Sequence, residues 1–181
     1  MEFAQLEEKK VSCETIYDGH VVHLEKWNVV LPNGKGASRE IVRHVGAAAV
    51  VAVDDKNRVA MVRQYRAALE RVTFEIPAGK LDSFGADRFE TARRELREET
   101  GFTAREWTHL ADIATTPGFC SEIIGLYLAR GLEKGDTEFD EDEFLNIEMV
   151  PMENVLADVF AGKIQDAKTV CALLLAQKHM A

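Results

Sequence analysis

The chain has 181 residues, enough for one well-cored domain and short for two. Hydrophobic residues make up 46% and charged residues 29%, the balance of a soluble folded protein and too apolar for a disordered one. The net charge of −9 argues against a membrane-surface or long nucleic-acid binder, since both need positive potential. A small phosphorylated ligand, held by a few arginines or a metal, stays compatible with it. The first ten residues, MEFAQLEEKK, carry charge from the second residue and hold no apolar stretch of the leader type, so no secretory leader is expected. The longest apolar run, Val45 to Val53, is too short to span a bilayer. Cys13, Cys120 and Cys171 are widely spaced with no CxxC pair. Free thiols in a reducing compartment, the cytoplasm, are expected rather than disulfides or a zinc site.

Residues from about 11 to 65 read as β-rich. Val21 to Leu31 runs into Pro32-Asn33-Gly34, a turn signal, and Arg39 to His44 returns as a strand. Val45 to Val53 is a continuous run of small apolar residues, the mark of a strand buried on both faces. Asp54 to Asn57 is a turn, Val59 to Tyr65 the next strand, and Phe74 to Ile76 a short strand closed by Pro77. Asp87-Arg88-Phe89-Glu90 has the form of a capping box, and Phe89, Ala92, Leu96 and Thr100 share one helical stripe. Gly101 stands where a helix-terminating glycine belongs. Strands near Leu110 to Thr115 and Ile123 to Leu128 follow. An acidic stretch, Glu138 to Glu143, precedes a strand near Phe144 to Val150; Met152 to Phe160 and Asp166 to Lys178 read as helices. This order predicts an α+β or layered α/β domain.

The helix carrying Arg94-Glu95-Leu96-Arg97-Glu98-Glu99-Thr100-Gly101 is the most informative segment. Side chains three and four residues apart meet on a helix. Glu98 has Arg94 as a partner, whereas the neighbours of Glu95 and Glu99 at that spacing include no base. Glu95 and Glu99 thus form a like-charge pair with no local counterion at that spacing, costing an isolated helix a few tenths of a kcal/mol. A solvated, ion-paired helix face is one reading. A site for a hard divalent cation such as Mg²⁺ or Mn²⁺, bridging to substrate phosphate, is the other.

The stretch from Gly79 to Phe102 resembles the Nudix box, G-x5-E-x7-R-E-U-x-E-E-x-G-U, where U is aliphatic or aromatic. Gly79 supplies the first glycine, and Arg94, Glu95, Leu96, Glu98, Glu99, Gly101 and Phe102 supply the whole second half at the right spacing. The first half departs from the pattern: Gly79 precedes Arg94 by 15 residues instead of 14, and Gly85 or Ala86 stands where the early glutamate belongs. Segments Gly19 to Lys35, Arg39 to Val53, Val59 to Arg66 and Gly162 to Leu174 are similar to the ADP-ribose and nucleoside-diphosphate-sugar pyrophosphatase branch. So is Pro117, 15 residues beyond Phe102.

The resemblance implies a Nudix α/β/α sandwich with a mixed central sheet (residues 46–181) and an N-terminal antiparallel β-region (residues 1–45) that helps build a homodimer. It implies metal-dependent hydrolysis of the pyrophosphate of ADP-ribose or a nucleoside diphosphate sugar, with Mg²⁺, or Mn²⁺, held by Glu95, Glu98, Glu99 and the carbonyl of Ala78. Read without the resemblance, Ala78-Gly79 is an ordinary loop before a helix. The base that orients water would come from the acidic stretch: Glu141 first, with Glu143 as the second choice or a metal contact. Arg39 and Arg66 match arginines that grip phosphates and ribose, a task suited to the guanidinium fork, although a surface arginine explains either. Ser121 and Glu122 match a loop that touches the distal sugar. Trp27 is a platform for the base, or a core or dimer-interface residue. Glu75 either supports the metal site or caps a strand. The missing early glutamate also admits a non-catalytic nucleotide-binding sensor, and the same hydrolysis on another nucleoside diphosphate derivative remains a third reading.

Overall fold

The computed structural model describes residues 3–135 and 146–180, so the acidic stretch with Glu141 and Glu143 lies outside the described residues. The chain divides into two units: Met1–Val45 with Ala114–Glu122, and Gly46–Ile113 with Ile123–Ala181.

The first unit is built on β1 (Lys9–Asp18), β2 (His23–Val30) and β3 (Gly36–Arg43), an antiparallel sheet in that order. The turn read at Pro32-Asn33-Gly34 joins β2 to β3. Gly34 takes a positive φ of 81° and its N–H donates to the Leu31 carbonyl at 2.8 Å. Beyond β3 the chain adds a parallel bridge between Val42 and Cys120. Val42 N–H donates to the Phe119 carbonyl and Ser121 N–H to the Val42 carbonyl, which fastens the Pro117 loop to this sheet.

The second unit contains β4 (Ala47–Ala52), β5 (Arg58–Arg66), β6 (Arg71–Glu75), β7 (Ala78–Lys80), α1 (Arg88–Thr100), β8 (Phe102–Ala114), β9 (Ile123–Lys134), β10 (Asn146–Pro151), α2 (Met152–Phe160) and α3 (Ala167–Met180). Its four-stranded sheet runs β7-β4-β9-β8, with β4 and β9 parallel and β4 and β7 antiparallel, so the sheet is mixed. A second sheet runs β10-β5-β6.

Strand β4 is the axis of this unit. All six of its residues are buried, and its alternating side chains face two different layers. Ala48, Val50 and Ala52 pack with Ala92 and Leu96 of α1 and with Tyr127 and Ala129 of β9. Ala47, Ala49 and Val51 pack with Val155 and Leu156 of α2, and with Ala172, Leu173 and Ala176 of α3. Helix, sheet and helix therefore form three layers, as the continuous apolar run predicts for a strand covered on both faces. The alanines let the helix surfaces approach the sheet closely. The larger side chains, Leu96, Leu126 and Leu173, fill the remaining space and are fully buried.

Several elements differ from the sequence reading: β1 is an additional strand, β6 spans Arg71–Glu75 rather than Phe74 to Ile76, and the differences at β7 and β8 bear on the site. Ala78–Lys80 is a short edge strand rather than a loop: it pairs with β4, placing Gly79 opposite Ala48. Strand β8 begins at Phe102 instead of near Leu110. Gly101, in the left-handed conformation at φ 70°, ends α1 and turns the chain directly into β8. Trp107 then packs edge-on against Phe89 of α1, with ring centroids 5.4 Å apart. The first half of β8 is thus held by the helix as well as by its neighbouring strand.

Candidate functional site

Helix α1 is fixed at both ends before its acidic face acquires a role. The Asp87 carboxylate accepts from Phe89 N–H at 2.8 Å, capping the N-terminus. Glu90 pairs with Arg93. At the other end Gly101 N–H donates to the Arg97 carbonyl at 2.8 Å. The buried side chains of α1 are Thr91, Ala92, Glu95, Leu96, Glu99 and Thr100. Two of its glutamates therefore face inward, on the row Thr91, Glu95, Glu99, and not into solvent.

That row lies against β7. Ala78 N–H donates to Glu99 at 3.2 Å, and Glu99 is only 2% exposed. The Glu95 carboxylate sits over Gly79: a Cβ at that position would stand 1.9 Å from the Glu95 carboxyl carbon. The first glycine of the motif is therefore a clearance for a carboxylate. Arg94 changes the counterion picture drawn from helical spacing. Its guanidinium reaches Glu95 at 2.9 Å and Glu98 at 3.0 Å, so Glu95 does have a local counterion, in its sequence neighbour. Spacing rules miss this contact because adjacent side chains leave a helix in different directions, and only a long, forked side chain bends back. Glu98 also meets Arg97 at 3.5 Å.

The donor set fits a hard divalent cation in part. Glu95 and Glu99 offer carboxylate oxygens on one helix row, closely backed by the Ala78–Gly79 backbone. Glu98 is turned to its two arginines. Among the described residues, no three His, Cys, Asp or Glu side chains are grouped closely enough to hold an ion as they stand.

Behind β7 lies a second charged group that helix spacing did not reveal. Glu75, at the end of β6, is 2% exposed and accepts from Arg66 Nε at 2.9 Å and Nη2 at 2.6 Å. It also accepts from Lys168 Nζ and from the Thr73 hydroxyl, the latter at 2.6 Å. Burial pushes the Glu75 carboxyl upward, but the Arg66 bonds, with Lys168 and Thr73, overcome it and hold the pKa at about 2. The Glu75 hydrogen bonds in turn raise the Arg66 guanidinium against its burial, with Asp166 and Glu99 adding to the effect. The sequence reading missed Lys168, Thr169 and Asp166. The signal available was Asp166, whose carboxylate accepts from Thr169 N–H at 3.0 Å at the start of α3.

The remaining expected residues lie in the first unit. Arg39 forms a fork to Glu8, at 3.0 Å from Nε and 2.5 Å from Nη2. Trp27 donates to Glu25 at 2.6 Å and has Lys10 Nζ 3.8 Å from its ring centre. The Trp27 bond is the chief cause of a lowered Glu25 pKa. Trp27 is half-buried, on a strand beside charged neighbours rather than in an apolar core. Ser121 accepts from His44 N–H at 2.9 Å. Glu122 accepts from the Thr115 hydroxyl at 2.6 Å and faces His44 Nδ1 at 3.4 Å, so that carboxylate is oriented and not a loose loop acid.

Comparison with known proteins places the chain in a family. The chain is 46% identical over 170 residues to an ADP-ribose pyrophosphatase of Bacillus subtilis, covering 93% of this chain and 91% of that one. It is also 46% identical over 169 residues to a methanol dehydrogenase activator of Bacillus methanolicus, covering 92% and 91%. A crystal structure of an ADP compounds hydrolase superposes with a TM-score of 0.83 at 25% identity, covering 96% of this chain and 94% of that one. Residues 42–173 match the NUDIX domain, which includes the whole glycine-to-phenylalanine stretch around α1, and the chain belongs to the Nudix hydrolase family.

Proposed function

We propose that this protein hydrolyses the pyrophosphate bond of ADP-ribose or a nucleoside diphosphate sugar, releasing a nucleoside monophosphate and a sugar phosphate. The carrying observation is the buried glutamate row of α1 against Ala78–Gly79. The relatives named as ADP-ribose pyrophosphatase and ADP compounds hydrolase support the substrate class. Nudix hydrolases generally depend on a divalent metal, and Mg²⁺, with Mn²⁺ as a substitute, is the ion we assign. Glu95, Glu99, Glu98 and the Ala78 carbonyl would hold it. When bound, such an ion neutralises the diphosphate and activates the attack of water. Arg94 pairs with both Glu95 and Glu98, so its guanidinium would share these carboxylates with the ion. Arg39 and Arg66 are assigned to the phosphates and ribose, Ser121 and Glu122 to the distal sugar, and Trp27 to the base. Glu141, or Glu143, takes the proton from water as its oxygen bonds to phosphorus and the bridging P–O bond breaks. We assign the cytoplasm, on the strength of three free cysteines, and a homodimer formed through the β1–β3 sheet. No described helix is long and apolar enough to cross a membrane.

A non-catalytic nucleotide sensor is the second reading, favoured by Gly85 and Ala86 standing where the early box glutamate belongs. One panel separates the two: ADP-ribose, several nucleotide sugars and dinucleotide coenzymes, each incubated with Mg²⁺ and assayed for released monophosphate. The expected result is release from ADP-ribose or a nucleotide sugar, reduced by about 10²-fold or more in Glu99→Gln with its circular dichroism unchanged. Tight binding with no release from any member would establish the sensor. Wild-type turnover in Glu99→Gln would remove the metal assignment. Because one relative of equal identity is named a methanol dehydrogenase activator, the same preparations are tested for stimulation of a methanol dehydrogenase.

A further inference from the structure

We infer that the first turn of α3 is a positioning device for the Ala78–Gly79 segment, with Thr169 as its central residue and Asp166, Lys168 and Glu75 as its supports. The inference rests on the reading of Glu95, Glu99 and Ala78 as the metal-holding group.

Thr169 is wholly buried, and its hydroxyl is used twice. It accepts from Ile76 N–H at 3.0 Å and donates to Asp166 at 2.5 Å. Asp166 also takes Thr169 N–H and Lys168 Nζ, both at 3.0 Å. Lys168 continues to Glu75, the residue immediately before Ile76. Two successive residues, Glu75 through its side chain and Ile76 through its backbone, are thus tied to one helical turn. The next three residues are tied from the opposite direction by the central strand. The Pro77 carbonyl accepts from Val50 N–H at 2.9 Å, and Ala78 and Gly79 pair with Ala49 and Ala48. The segment carries at its end the Ala78 N–H that holds Glu99 and the clearance that seats Glu95.

A buried charged group of this size is costly to assemble, and its removal in favour of apolar packing is often neutral or stabilising. Stability alone therefore does not account for it. Every link in it leads instead to the backbone on which two glutamates of α1 are registered. A hydroxyl that both accepts a backbone N–H and donates to a fixed carboxylate has one orientation, so it sets the position of Ile76 more closely than apolar contact would. Partners of this outer kind tune metal affinity by about ten- to a hundredfold.

Thr169→Val keeps the side-chain shape and deletes both hydrogen bonds; Thr169→Ser keeps the bonds and deletes a methyl group. Mn²⁺ binding to the substrate-free protein is measured by electron paramagnetic resonance, well below the unfolding temperature of each variant, with Glu99→Gln as reference. We expect about tenfold weaker Mn²⁺ binding in Thr169→Val, recovery to within about twofold in Thr169→Ser, and weak binding in Glu99→Gln. A Thr169→Val protein that binds Mn²⁺ like the wild type, while Glu99→Gln does not, would overturn the positioning role alone. Equal binding by wild type and Glu99→Gln would overturn the metal reading and this inference with it. Should Thr169→Val fail to fold, Asp166→Asn takes its place: binding weakened at least threefold supports the role, and unchanged binding overturns it.

Discussion

Glu75 shows how a single residue can look ordinary in a sequence and be exceptional in a fold. In the string Phe74-Glu75-Ile76-Pro77 it is one acid at a strand end, and the choice between capping a strand and supporting a metal site stays open. Burial between Arg66 and Lys168 decides what it is energetically. Its carboxyl titrates near the ordinary 4.5 when unfolded and at about 2 when folded. A depressed folded pKa means that the unfolded chain binds the proton more tightly, so the stabilisation is complete above about pH 4.5 and disappears as pH falls toward about 2. In Glu75→Gln two cations lose their shared partner, and the variant should be less stable than wild type by about 3 kcal/mol at neutral pH. Urea midpoints taken from about pH 6 down to about pH 3 should show that difference shrinking. A difference that stays constant across the range would mean that charge is not what Glu75 contributes. Arg94 teaches the complementary lesson. The spacing rule that left Glu95 without a counterion considers side chains on one helical face, and a guanidinium at the next position reaches around that face.

At the scale of elements, legibility follows burial pattern. Strand β4 was readable because covering both faces of a strand requires an unbroken apolar run, and few other structures do. Helix α1 was readable from its cap, its stripe and its glycine stop, and α2 matches its expected limits, Met152–Phe160. Strand β1 leaves no signal in the sequence because every one of its residues is exposed, so there is no buried–exposed alternation. Strand β7 looks like a loop in the sequence because three residues between Pro77 and a turn carry no periodicity at all; only pairing with β4 makes them a strand. The residues that form the Thr169 cluster come from β5, β6 and α3, about 100 positions apart at the extreme, and one sequence gives no sign of such proximity. The cap of α1 is an element-scale property that can be separated from chemistry. Asp87 holds one N–H of the first turn, so Asp87→Ala should cost about 1 kcal/mol, a fall in melting temperature of about 2–4 °C for a chain of this length. Turnover per folded molecule should stay within about twofold, because the glutamate row begins two turns further along. A loss of turnover as large as that of Glu99→Gln would show that the first turn, and not the row, sets the site.

At the scale of the whole molecule, the N-terminal sheet carries exposed apolar side chains. Val11 is 64% exposed, Ile16 50% and Tyr17 59%. The β1–β2 register skips Val11 and Ile16, so both stand at irregularities where the strand bends. Apolar side chains gathered at bulges on a strand with no buried residue are out of keeping with a surface that otherwise carries a net charge of −9. A second copy of the chain is the occupant we assign, since an isologous contact buries the same patch twice and closes on itself. Sedimentation equilibrium at micromolar concentration should return about twice the chain mass of 20.2 kDa. Replacing Val11 and Tyr17 together by Glu puts four like charges across a two-fold contact, and the mass should fall to that of one chain, with the folded spectrum retained because neither residue is buried. If the wild type sediments as a single chain, the exposed strand must be stabilised without a partner, and the dimer assignment fails. If the double variant remains a dimer, the contact lies on another face, and the exposure of β1 has a different cause.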